Sequence, residues 1–297
     1  MANSQVVLVT GSSSGFGELI AKTLAANGHR VYATMRDVTG RNATAVENLQ
    51  EWARGKDASV RVIEMDVSSE ESVTSAVDRI TKDAGAIDVV VNNAGISANG
   101  PIEAFDIEQM QYLFDVNVFG PLRVDKAVLP QMRQRRSGLL IHVSSTLGRI
   151  LPKSGGLYPA SKWAVEGLAE SLHYQLEPFG VNVVILEPGS FPTPALSKSI
   201  AARDEAVTAE YAAQPGRARR AHAASSDYVP PDPQDVADAV RVLIDTPPDR
   251  RPLRLVVGPV FTTGVAAFNQ AYEQARDRLA ESLMRPDQAI TWAISRR

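Results

Sequence analysis

Short apolar runs rich in valine and isoleucine alternate with amphipathic helical stretches along this chain at roughly thirty-residue spacing. Residues 5–10 (QVVLVT), 30–35 (RVYATM), 60–65, 87–91, 138–144 (GLLIHVS) and 181–186 read as strands, with a seventh at 253–258. Helical periodicity fills 18–27, 42–54, 68–84, 107–134 and 157–179, and returns at 261–284. Consecutive parallel strands need a crossover, and a helix of this length supplies it. The order therefore predicts an α/β fold: a single doubly wound parallel sheet of about seven strands with helices on both faces. Right-handed crossovers carry the C-terminal strand ends to one edge, where such sheets bind ligands.

Residues 1–297 read as one domain, without repeats or a linker. The stretch 190–233 is rich in alanine, proline and charge. A segment of that length between sheet elements is usually functional, and short helices forming a lid are expected there. Its Arg217, Arg219 and Arg220 read as a solvated face. A C-terminal helical extension is expected over 261–297, its tail reaching Trp292. Ser68-Ser69-Glu70-Glu71 resembles a capping box opening the helix at 68.

Composition narrows the function classes. A net charge of -3 argues against a nucleic-acid partner held through phosphates. With no cysteine, disulfides and thiolate catalysis are excluded. No apolar run approaches the ~20 residues of a spanning helix. The N-terminus shows no basic segment or cleavage site ahead of the first strand. A cytoplasmic protein without membrane contact or a metal site is the expectation.

Three stretches carry chemistry. Gly11-Ser12-Ser13-Ser14-Gly15-Phe16-Gly17 lies between the first strand and its helix. Missing side chains there let backbone N–H groups approach a pyrophosphate, though a tight βα turn without a ligand reads the same way. Tyr158 and Lys162 stand one helical turn apart on one face. An ammonium beside a phenol stabilises the phenolate and improves it as an acid–base group, although this spacing also arises by chance. Asn92-Asn93-Ala94-Gly95, Ser144-Ser145 and Glu187-Pro188-Gly189 end the fourth, fifth and sixth strands at the same edge.

In order and at those strand ends, Thr10-Gly11-x-x-x-Gly15-x-Gly17, Asp66, Asn92-Asn93-Ala94-Gly95, Asn117, Ser145, Tyr158-x-x-x-Lys162 and Pro188-Gly189 with Thr193 resemble the short-chain dehydrogenase/reductase family over roughly residues 5–260. The resemblance implies a single NAD(P)-binding Rossmann domain. It implies an oxidoreductase that moves a hydride between nicotinamide and a carbonyl or secondary alcohol. By resemblance, Tyr158 is the general acid or base, Lys162 lowers its pKa and holds the nicotinamide ribose, and Ser145 binds the substrate oxygen. Asn117 would hold, through its carbonyl, a water that links Lys162 to solvent.

For the cofactor, the resemblance assigns Gly11, Ser13, Ser14, Gly15, Phe16 and Gly17 to the pyrophosphate. It gives the adenine to Asp66 and Val67, and the central part to Asn93, Ala94 and Gly95. The carboxamide falls to Pro188, Gly189, Phe191 and Thr193. Counting about twenty residues past the glycines lands near Asp37, which suggests NAD. The second strand nevertheless ends at Met35 followed by Arg36, whose guanidinium suits a 2′-phosphate, with Ser14 adding a hydroxyl. NADP(H) is favoured over NAD(H).

Ser97, Thr146, Leu147, Ile150, Leu151, Ser190 and Phe191, with residues 194–229, would line a mostly apolar pocket for a hydrophobic small-molecule carbonyl or alcohol. The alternatives are a non-catalytic dinucleotide-binding regulator on the same fold, or an NAD(H)-preferring dehydrogenase. The family's habit also implies a homodimer or homotetramer packed through the helices at 116–134 and 157–179.

Overall fold

The computed structural model describes residues 4–151, 156–194, 198–213, 230–259 and 262–283. Seven strands form one sheet: β1 (Val6–Val9), β2 (Arg30–Met35), β3 (Val60–Glu64), β4 (Val89–Asn92), β6 (Gly138–Val143), β7 (Val181–Pro188) and β9 (Arg254–Val257). Their order is β3-β2-β1-β4-β6-β7-β9, and every pairing is parallel. The order reverses between β1 and β4, which opens a crevice beyond their C-terminal ends. A separate pair, β5 (Ala98–Asn99) with β8 (Ile200–Ala201), lies outside the sheet.

Alternate strand residues feed opposite cores. In β1, Val7 and Val9 pack with Leu24 of α1 (Gly15–Ala26), Leu49 of α2 (Ala43–Lys56) and Val240 of α8 (Gln234–Asp245). Leu8 faces the other side, with Val73 of α3 (Glu70–Ala84), Val124 of α5 (Gly120–Arg135) and Ala169 of α6 (Leu157–Leu176). All three strand residues are fully buried. Truncating such a residue to alanine costs about 2–5 kcal/mol in comparable cores, so the crevice hangs from a rigid floor.

The expected fold is thus the observed one, with boundaries shifted by a few residues. The capping box does not form: Ser69 alone caps α3, accepting from Ser72 N (3.2 Å), because serine rather than glutamate occupies the third helical position. The helices expected over 107–134 are α4 (Ile107–Phe114) and α5, joined by a π-helical turn (Asp115–Phe119).

In the expected lid, α7 (Glu205–Ala212) follows β8. Gln109 donates to Ala201 O (2.7 Å) and Arg203 pairs with Asp106 and Glu108, fastening this segment to the start of α4. Arg217, Arg219 and Arg220 lie outside the described residues, as does the tail at Trp292. α9 (Thr262–Leu283) supplies the C-terminal helix. Among the described residues no helix is long and apolar enough to cross a membrane, and no cluster of three or more acidic or histidine side chains could hold a metal ion.

Candidate active site

The crevice begins at the glycine turn. Gly11 and Gly15 hold φ of 69° and 60°, a region that favours glycine. Gly17 is required by contact: a Cβ there would lie 2.3 Å from Gly11 O and 2.5 Å from Asn93 Nδ2. The first amides of α1 carry no side-chain cap, since Ser14 at the N-cap makes no capping bond. Uncapped amides at a helix N-terminus beside a glycine cradle fit a pyrophosphate. Ser13 and Ser14 are partly buried in the turn, and Lys198 Nζ donates to Ser14 Oγ (3.0 Å) from across the crevice.

The β4 end forms the adjoining wall. Asn93 Nδ2 donates to Thr10 O (2.8 Å) and Gly11 O (3.2 Å), and Thr10 Oγ1 accepts from the Asn93 and Ala94 amides (3.0 and 2.8 Å). Gly95 is closely approached: a Cβ there would meet Asn117 Oδ1 at 3.3 Å and Lys162 Nζ at 3.9 Å.

At the β2 end, Arg36 Nη1 donates to Tyr112 Oη (3.1 Å), not to Asp37. Asp37 is turned into its own bend: its φ is 52°, its amide donates to Glu64, and its carboxylate accepts from Arg41 N (2.9 Å). Burial alone would raise the Asp66 carboxyl. The Ser68 hydroxyl and amide, with Arg36 and Arg123, hold it below its ordinary value. Val67 is buried, and its carbonyl accepts from Arg123.

Across the crevice, Pro188 ends β7 and the Gly189 amide donates to Val257 O (2.8 Å). Thr193 packs over the glycine turn, 3.7 Å from where a Gly15 Cβ would stand. Phe191 departs from expectation. Its side chain is buried in the core, edge-on to Phe16 at 5.5 Å, so it braces the turn from behind rather than lining a pocket. An apolar ring gains more from that core than from the open crevice.

Tyr158 and Lys162 sit where β6 meets α6. Tyr158 is in the first turn of α6, and the Ser145 hydroxyl beside its phenol acts to lower the phenol's pKa. Ser145 Oγ accepts from Leu147 N (3.1 Å), capping the 3-10 turn Thr146–Gly148. Lys162 Nζ donates to Val143 O (2.8 Å) and lies 5.7 Å from the Tyr158 ring centre.

Asn117 occupies the π-helical turn. Its side chain grips both backbone polar groups of Ile96 (2.8 and 2.9 Å) and donates to Ser161 Oγ (3.0 Å). The clamp holds α6 against the β4 loop, and the π turn frees local carbonyls from the regular ladder. Among the pocket residues, Thr146 is buried and Leu151 is 65% exposed. His142 is buried beside Asp125 (3.4 Å), away from the crevice.

Burial pushes the Tyr158 phenol up to about 12 despite Ser145, so Lys162 does not by itself depress it as expected. Burial also pulls Lys162 down to about 8, opposed in part by Glu166. At neutral pH the arrangement can therefore present a protonated phenol, a hydroxyl partner and an ammonium together.

The short chain dehydrogenase family model matches residues 5–204. The chain belongs to this family of oxidoreductases. A short chain dehydrogenase relative, 3-ketodihydrosphingosine reductase of Bacteroides thetaiotaomicron, is 39% identical over 189 residues, 64% of this chain and 65% of the relative. The chain thus spans just under two thirds of that relative's length. An alcohol dehydrogenase of the archaeon Thermococcus sibiricus, solved with 5-hydroxy-NADP, is 27% identical with a TM-score of 0.70 over 87% of this chain and 98% of that one. A short chain dehydrogenase/reductase of Burkholderia phymatum, solved with NAD, is 26% identical with a TM-score of 0.72 over 92% and 95%. The family fold and the glycine cradle accord with a nicotinamide dinucleotide cofactor.

Sequence reasoning singled out neither Tyr112 nor Lys198, and gave Thr10 only as the head of the glycine motif.

Proposed function

We propose that this chain is an NADP(H)-dependent oxidoreductase that moves a hydride between nicotinamide and a carbonyl or secondary alcohol of a mainly hydrophobic small molecule. One observation carries the reading: the Ser145 hydroxyl beside the Tyr158 phenol, with the Lys162 ammonium one turn along α6, next to the glycine cradle. Bound nicotinamide supplies the hydride in reduction and accepts it in oxidation. Tyr158 gives its hydroxyl proton to the substrate oxygen in reduction and takes one back in oxidation. Ser145 donates to the same oxygen and stabilises the charge that develops there. Lys162, anchored on Val143 O, supplies the cation and holds the nicotinamide ribose. Asn117 aligns α6 and offers its carbonyl to a relay water. The protein is read as a single domain whose residues 190–233 cover the substrate.

The pH dependence has a definite sign. Lys162 is charged below a pKa of about 8 and loses its proton above it. Reductive kcat/KM should hold on the acid side of that value and fall as pH rises through it. A profile without a break there would remove Lys162 from this role.

Arg36 supports NADP(H). Its hydrogen-bond partner Tyr112 is neutral, and Asp37 is hydrogen-bonded into its own bend rather than to the guanidinium. Lys198 on Ser14 adds a cation at the same bank. An Arg36→Ala variant should lose about 10- to 100-fold in kcat/KM with NADPH and little with NADH, as loss of a charge-assisted bond implies. Wild type that used NADH better than NADPH would reverse the assignment.

For the substrate, Leu147, Ile150 and exposed Leu151 beside Ser145 support an apolar ligand. The Bacteroides relative is named as a keto reductase. Partly exposed Trp163 and Leu168 on α6 support pairing of two copies through α5 and α6. The test is NADPH binding followed by fluorescence, then turnover on a panel of hydrophobic ketones and alcohols. Binding of neither dinucleotide would sink the reading, and binding without turnover would favour a regulator.

A further inference from the structure

The C-terminal helix lies behind the candidate site and enters it through one side chain. Asn269 of α9 is buried. Its Oδ1 accepts from Arg149 Nε (2.7 Å), and its Nδ2 donates to Glu187 Oε2 (2.7 Å). Arg149 directly follows the turn that Ser145 caps, and Glu187 directly precedes Pro188-Gly189. The network then reaches α6: Arg254 of β9 donates to Glu166 (3.0 Å) and Glu170 (2.7 Å) and approaches Glu187 at 3.5 Å. Glu166 is one helical turn past Lys162. Three walls of the crevice, carrying Ser145, Lys162 and the Pro188-Gly189 stretch, therefore meet at this buried cluster.

α9 is held there by more than one bond. The Tyr272 ring lies between two guanidiniums, 4.7 Å from Arg149 and 5.5 Å from Arg254, and Phe268 stacks on Arg149 at 4.8 Å. Close packing continues under the Ser145 turn. A Cβ on Gly148 would meet Ser144 Oγ at 2.6 Å and Glu166 Cγ at 3.1 Å. Buried charges are expensive unless paired. Arg149 Nη2, Glu166 Oε1, Glu187 Oε1 and Arg254 Nη1 make no hydrogen bond among the described residues, so the cluster depends on the bonds it does have, the two of Asn269 among them.

We propose that Asn269 is a positioning residue for the candidate active site: by holding Arg149 and Glu187 together it sets the Ser145 turn against the Tyr158–Lys162 helix, which makes α9 a structural wall of that site. The catalytic meaning rests on the function proposed above, but the geometry is testable without turnover.

Asn269→Asp places a second carboxylate against Glu187. Adding Glu187→Gln returns a donor–acceptor match, Arg149 to Asp and Gln to Asp, and removes the Glu187 carboxyl, whose pKa burial pushes up to about 8. Amide hydrogen exchange is read on the full chain with saturating NADPH. The amides of Leu147, Gly148, Arg149 and Ile150 all donate within this turn. In Asn269→Asp their protection should fall about tenfold or more while β1 and the glycine turn stay protected, and the double variant should recover most of it. On any ketone that the panel identifies, kcat should follow the same order with the dinucleotide Kd unmoved.

Unchanged protection in Asn269→Asp, or a double variant no better than the single, overturns the proposal. So does a uniform loss across the sheet, which means stability alone. If Asn269→Asp fails to fold, recovery in the double variant still decides the question. The expected exchange pattern without turnover on any substrate would count against the proposed function and leave the positioning role standing.

Discussion

Tyr158→Phe should abolish turnover to within about 10²- to 10⁴-fold of its starting rate while leaving dinucleotide binding intact, the range expected when a positioned proton donor is removed. The change deletes one oxygen and leaves the rest of the site in place. The ring keeps its place in the first turn of α6 and its 5.7 Å approach to Lys162. Ser145 Oγ still accepts from the Leu147 amide, so only its O–H loses a partner when the phenol oxygen is removed. Folding stability should therefore change by less than about 1 kcal/mol, the net worth of one neutral hydrogen bond. Reductase assays, NADPH fluorescence titration and a thermal melt on the same preparation separate these effects. Residual activity within tenfold of wild type would mean that the proton comes from elsewhere, and the proposed chemistry would fail.

The second large effect is steric. Gly17→Ala forces a methyl to 2.3 Å from Gly11 O and 2.5 Å from Asn93 Nδ2. Neither neighbour is a flexible chain end. Gly11 is backbone in a positive-φ bend, and Asn93 is fixed on two carbonyls. The turn must open or α1 must withdraw, at a cost of about 1–3 kcal/mol, the range for overpacked interiors. NADPH binding should weaken at least about tenfold, because the uncapped α1 amides move with the turn. Gly55→Ala is the control: it sits inside α2 with nothing within 4 Å, and it should stabilise by about 0.5–1 kcal/mol. A Gly17→Ala variant that melts and binds like wild type would show that the cradle tolerates a side chain.

Much of this was legible because buried parallel strands write themselves as continuous apolar runs. β2 was expected at 30–35 and is found at Arg30–Met35; the parallel direction of the strands follows from the βαβ pattern. The ordered glycines and the Tyr158–Lys162 pair were readable because their function depends on local spacing. The rest needs partners distant in sequence. Arg36 meets Tyr112 and Lys198 meets Ser14, with no periodicity to announce either contact. β5 and β8 are two residues each, too short for a pattern. Glu166 and Glu170 have the spacing of an ordinary solvated helix face, and only the fold brings Arg254 to them. The phenol's raised pKa was missed because a motif records neighbours in sequence, whereas burial belongs to the whole molecule.

The strand order separates two kinds of inheritance. Arg36 and Asp66 hang from β2 and β3 on one side of β1, while Ser145 and Pro188 hang from β6 and β7 beyond β4. A substitution at the β2 end can change which dinucleotide is preferred without shifting the residues proposed to handle the proton. A change around β6 or β7 can likewise reshape the substrate side without disturbing the adenine end. Under the function proposed above, a lineage built on this sheet could exchange its electron carrier and its substrate in separate steps.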